Sequence, residues 1–141
     1  MDTQVEPTRD DVLAVLTFSR RFDDDDFVAG EWVPAQRHED GVLVLGFWLP
    51  SEDVAAWETA LYERHIVLVF DWSAATWSRQ MRRYFENPDL LERARLLTAR
   101  KVLTTLSRAN RFCEGYLAGA FEAGVPQAAM RRLEQLTERV G

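Results

Sequence analysis

The sequence predicts an α+β fold: a small three- to four-stranded sheet from the N-terminal half packed against a largely helical C-terminal half, as a single domain over residues 1–141. Three observations predict it. The β-branched and aromatic runs are confined to residues 27–70, helical periodicity dominates after Asp71, and 141 residues with 47% hydrophobic content suffice for one core.

Thr8-Arg9-Asp10-Asp11 reads as a capping box with Asp in place of Glu, and Val12, Val15, Leu16 and Ser19 follow at helical spacing, so a helix is expected to about Arg20. Asp23-Asp24-Asp25-Asp26 ends it, because adjacent carboxylates repel and Asp is a poor helix-interior residue. Phe27–Val33 and Gly41–Leu49 read as an antiparallel pair of strands around a polar stretch containing Pro34. Pro50-Ser51-Glu52-Asp53 starts a helix whose apolar face is Val54, Trp57 and Leu61 and which ends near Arg64. Ile66–Phe70 is apolar enough for a central, buried strand, which would complete a right-handed strand-helix-strand crossover. Ser73 to Glu86 presents Trp77, Met81, Tyr84 and Phe85 on one helical face, and Asn87-Pro88-Asp89 ends it. A further helix begins near Thr98. Gly124 and Pro126 mark the boundary before a last helix built on Met130, Leu133 and Leu136.

Composition narrows the function classes. A lone cysteine, Cys113, makes no internal disulfide, which fits a reducing compartment. The start Met1 to Pro7 lacks the features of a signal peptide, and no apolar run approaches the ~20 residues of a membrane span, so a soluble cytoplasmic protein with no membrane partner is expected. The net charge of -6 argues against generic nucleic-acid binding. The acid is concentrated between Asp2 and Asp53, whereas the stretch from Arg79 to Arg111 is net basic, and an anionic ligand is expected to go there.

The segment Lys101 to Gly115 is the most informative. As one helix, it places Lys101, Thr104, Thr105, Arg108 and Arg111 on one face, with Val102, Leu103, Leu106, Cys113 and Leu117 near the opposite one. Two arginines one turn apart fork onto a phosphate or carboxylate, and threonine hydroxyls donate to the same oxygens. The alternative is a solvated face with surface ion pairs. Asp71, in Phe70-Asp71-Trp72, stands where a strand is expected to end and a helix to begin, either facing a ligand or capping the helix. Trp72 and Trp77 offer stacking surfaces or core. Cys113 falls on the apolar side and is expected to be a buried structural thiol. Glu31, in the first strand, reads as an outward-facing acid beside Gly30, and the run Asp23 to Asp26 as a solvated turn. His38 and His65 stand alone, and no metal-ligand spacing, Gly-rich phosphate loop or nucleophile elbow occurs, so neither metal nor cofactor is expected.

Gly30-Glu31-Trp32, Phe70-Asp71-Trp72, Leu103-Thr104-Thr105, Arg108 and Arg111-Phe112-Cys113-Glu114-Gly115 together resemble the uncharacterised bacterial domain-of-unknown-function family 6508 over nearly the whole chain. The resemblance implies a compact prokaryotic domain and brings no activity, cofactor or catalytic residue. Its motifs coincide with the residues chosen on physical grounds, which makes Asp71, Trp72, Thr104, Thr105, Arg108, Arg111 and Glu114 one candidate cleft, with Lys101 on the same basic face. The leading expectation is a non-catalytic binding or regulatory module of a prokaryotic cell or phage, acting through a protein partner or a small anionic ligand held by Arg108 and Arg111. The alternative is an enzyme on a phosphorylated or nucleotide-like substrate, with Asp71 or Glu114 as acid or base.

Overall fold

The computed structural model describes residues 6–140. Met1 to Val5, part of the stretch read above for targeting, lie outside the described residues. The first helix, α1 (Arg9–Phe22), begins at the expected capping box: the Thr8 hydroxyl accepts from the Asp11 amide at 3.1 Å, and the Asp11 carboxylate accepts from the Thr8 amide at 2.9 Å. Val12, Val15, Ser19 and Phe22 bury one face. The aspartate run then forms a turn, tied rather than free. Arg21 reaches Asp24 at 3.1 Å and Asp26 and Asp53 at 2.9 Å, which joins the turn to the start of α2 (Glu52–Glu63).

The two expected strands form a long antiparallel hairpin with an interruption. β1 (Gly30–Val33) pairs with β4 (Phe47–Pro50), and β2 (Gln36–Arg37) pairs with β3 (Leu43–Val44). The two ladders share one register, and they part where Pro34-Ala35 stands opposite Leu45-Gly46. Pro34 has no amide to contribute to a ladder, so the pairing breaks there. The inner half of the hairpin packs on the body through buried Trp48. At the outer half, all four paired residues of β2 and β3 are exposed.

Ile66–Phe70 is not a strand. It is an irregular segment with Ile66 and Leu68 buried and Val69 exposed, and the strand-helix-strand crossover expected from it is absent among the described residues. Side chains of α4 (Leu96–Ala109) take the place of a neighbouring strand. The Thr104 hydroxyl accepts from the Leu68 amide at 2.9 Å, while the Arg100 guanidinium donates to the Ile66 and His65 carbonyls at 3.2 and 2.9 Å. Buried backbone groups are thereby satisfied without a sheet.

The second half is helical as expected. α3 (Ala75–Glu86) buries Met81 and Tyr84, a 3-10 segment (Pro88–Arg93) follows Asn87, and α4 runs through the middle of the molecule, buried over most of its circumference. The helix expected through Lys101 to Gly115 stops at Ala109. A turn follows, in which Asn110 accepts from the Leu117 amide at 3.0 Å and Gly115 adopts a positive φ of 82°, before α5 (Tyr116–Ala123). α6 (Val125–Val140) packs against α1, α4 and the 3-10 segment, and Met130 and Leu133 enter the same core.

Candidate functional site

The residues singled out in the sequence are distributed over several environments. Thr104 is fully buried; besides receiving the Leu68 amide, it donates to the Arg100 carbonyl at 2.7 Å, so its one donor is spent inside the core. Thr105 is also buried, donating to the Lys101 carbonyl at 2.8 Å and accepting from the Trp77 indole at 2.7 Å. The basic and hydroxyl face expected on α4 is therefore not a solvent-facing stripe. Back-bonding to the carbonyl one turn earlier lets a helical threonine enter a core. Lys101 is half-buried, its ammonium 5.4 Å from the Phe70 ring centroid and 5.7 Å from that of Trp77, a cation-π arrangement.

Arg108 and Arg111 do converge, although Arg111 lies beyond the end of α4. Both guanidinium groups lie against Tyr62 of α2, 5.4 and 5.2 Å from its ring centroid, and neither makes an ion pair among the described residues. Half-buried Glu58 is close enough to feel Arg111: burial pushes its carboxyl above the ordinary range, and the arginine partly opposes this. Asp71 is exposed and closes a local turn, accepting from the Ser73 amide at 3.1 Å and hydroxyl at 2.7 Å; it does not cap α3, whose N-cap Ala74 has no side-chain hydrogen bond. Glu114 accepts from the backbone amide of Trp48 in β4, so it ties the hairpin to the turn after α4. Asp71, Arg108 and Glu114 do not line a common cleft.

The 111–115 turn explains what these residues hold together. A Cβ at Gly115 would lie 2.5 Å from the Trp32 ring, and one at Gly30 would lie 2.5 Å from the Trp48 ring, so both positions admit a tryptophan only as glycine. Phe112, on the same turn, stacks on Trp72 with centroids 5.8 Å apart. Cys113, expected to be buried, is exposed, because α4 ends four residues before it and its amide closes the turn onto the Ala109 carbonyl at 2.8 Å.

Beside this turn lies a cleft of about 430 Å³ between α3, the end of α4 and the start of α5. Met81 and Phe85 of α3 and Tyr116 of α5 line it with apolar surface, and Trp72 contributes an indole. The polar lining comes from Ser73, Ser78, Arg82, Thr105 and the thiol of Cys113. Arg82 is exposed and makes no ion pair among the described residues. Burial, and secondarily the charge of Cys113, pushes the Tyr116 hydroxyl up to about 12, so the phenol is neutral at ordinary pH. Among the described residues, no carboxylate or imidazole lines the cleft. Of the residues predicted for a site, it takes in Trp72 and Thr105. Arg82 lies in the basic stretch expected to take an anion but is not singled out there, because Met81 and Phe85 on the same helix read as core; a cation adjacent in sequence to an apolar helical face was the available signal.

The sequence model of a family of unknown function, DUF6508, matches residues 7–139. The chain belongs to that family. The stretches that carried the resemblance, 30–32, 70–72 and 111–115, meet in this DUF6508 chain around the turn between α4 and α5. No curated protein and no solved structure matches the chain. Among the described residues, no group of three or more His, Cys, Asp or Glu side chains is placed to hold a metal ion, and no helix is long and apolar enough to cross a membrane.

Proposed function

We propose that the protein is a non-catalytic binding module whose ligand is a small molecule with a flat apolar body and one anionic group. The observation that carries this reading is the cleft between α3, α4 and α5. Its volume falls within the range of small-molecule pockets, its walls are aromatic and thioether, and the cation that lines it, Arg82, makes no ion pair among the described residues. A ring lies against Trp72 and Phe85 while a carboxylate or phosphate meets Arg82. The lining supplies no carboxylate or imidazole to move a proton near neutral pH, which favours binding over the enzyme reading.

A thermal-shift screen of aromatic carboxylates and nucleoside monophosphates tests the proposal. A ligand at a hundredfold excess over its dissociation constant adds ~2.7 kcal/mol and raises the midpoint by several degrees. Arg82→Ala, at an exposed position, should abolish the shift while leaving the unliganded midpoint in place. Arg108 and Arg111 against Tyr62 offer a second anion seat. If the shift survives Arg82→Ala but is lost in Arg108→Ala/Arg111→Ala, the ligand sits there and the cleft assignment is wrong.

A further inference from the structure

A second recess, of about 440 Å³, lies between the turn after α1, the inner half of the hairpin, α5 and the start of α6, and it shares no lining residue with the cleft beside α3. Its walls are aromatic. Trp32 and Trp48 stand opposite each other across β1 and β4, on one face of the ribbon, while Phe27 and Phe121 lie 5.7 Å apart between centroids. Ring faces carry negative charge density and attract cations. The charged lining agrees in sign: it consists of Asp24 and Glu122, with no cation among the described residues. Glu122 is exposed and makes no ion pair among the described residues. Arg21, 6.0 Å from the Phe27 centroid, is shared among Asp24, Asp26 and Asp53, so its one charge is outnumbered. Gln127 adds an acceptor. Its Oε1 is buried with no hydrogen-bond donor among the described residues, and its Nε2 donates to the Phe121 carbonyl at 3.3 Å. That carbonyl also accepts from the Gly124 amide at 3.2 Å, so the side-chain bond is long and redundant, and the amide can turn its oxygen into the recess at little cost.

We infer that this recess binds a small organic ammonium ion that carries at least one N–H, with its apolar body against the rings, its charge facing Glu122 and Asp24, and the N–H donated to Gln127 Oε1. The lining discriminates among occupants. An anion meets two carboxylates, a neutral ring leaves them unused, and a quaternary ammonium leaves the Gln127 oxygen without a donor. A bare metal ion lacks its ligand set, since among the described residues no group of three or more His, Cys, Asp or Glu is placed to hold one. The volume is that of a small-molecule site. This site and the cleft at Arg82 take opposite charges, and neither depends on the other.

Calorimetric titration of the full chain at neutral pH tests the inference with three matched probes: benzylammonium, its neutral isostere benzyl alcohol, and benzyltrimethylammonium, which keeps the charge without an N–H. Benzylammonium should bind about tenfold more tightly than either of the others. Gln127→Met keeps the length of the side chain and removes the acceptor. It should erase the preference for benzylammonium over benzyltrimethylammonium while leaving the unliganded thermal midpoint unchanged or raised, because the Phe121 carbonyl keeps the Gly124 amide. Glu122→Gln, at an exposed position, should weaken both cations by roughly two- to fivefold and leave benzyl alcohol unaffected. A dissociation constant for benzylammonium above about 10 mM would overturn the inference, as would equal binding of the alcohol or of the quaternary ion. A preference that survives in Gln127→Met would overturn it too, by placing the N–H on another acceptor.

Discussion

Tyr116 lies where the cleft and the core meet, and its ionisation links the two. Because burial raises the phenol to about 12 in the folded state, against about 10 in an unfolded chain, the folded protein holds that proton more tightly. Its contribution to stability is fully present below about pH 10 and is lost as pH rises through about 12. The difference in stability between the wild-type chain and Tyr116→Phe should therefore move against the wild type across that interval and stay constant below it, as read in paired denaturant titrations. A flat difference would place the hydroxyl in solvent. Other residues were harder to read from sequence. Thr104 and Thr105 count as polar in any periodicity analysis, yet each hydroxyl is consumed by a carbonyl one turn back and by a donor from another segment. Arg100 is only 2% exposed and reaches the His65 and Ile66 carbonyls just after α2, as well as Glu6 at 2.8 Å. Such partners are distant in sequence, and no local pattern announces them.

At the scale of elements, local chemistry was legible where it decides structure locally. The Thr8 capping box, the Ser51 cap of α2, and the apolar faces Val54-Trp57-Leu61 and Met81-Tyr84 all stand where spacing put them. Ile66–Phe70 shows the limit of that reasoning. β-branched residues favour strands, but pairing depends on which groups approach from elsewhere, and here they come from a helix. The break after Ala109 was signalled only by Asn110 and Gly115, against a continuous helical periodicity. α4 itself allows a direct test. Leu103 is fully buried at the centre of the helix, so Leu103→Ala should lower stability by ~2 to 5 kcal/mol in chemical denaturation. A loss below ~0.5 kcal/mol is typical of surface positions and would mean that this face does not meet the core.

Across the whole molecule, one buried cluster runs from Val12 in α1 through Trp57, Leu103 and Phe121 to Leu133 in α6. Aromatic edges knit it: Phe22 meets Trp57 and Phe121 at centroid distances of 5.2 and 5.1 Å, so α1, α2 and α5 share one contact. α6 closes the assembly by packing on both α1 and α4, which places the first and last helices in the same core. Unfolding is therefore expected to be cooperative, with tryptophan fluorescence and far-ultraviolet ellipticity giving coincident transitions in denaturant. Fluorescence samples tryptophans on the hairpin, on α2 and beside the cleft, whereas ellipticity follows the helices, so the two probes weigh different parts of the chain. An earlier fluorescence transition would divide the core into an N-terminal unit of α1, α2 and the hairpin and a C-terminal unit of α3 to α6. The Glu114 link to Trp48 would then be a docking contact between two cooperative units rather than an internal strut of one, and Glu114→Gln should widen the gap between the transitions.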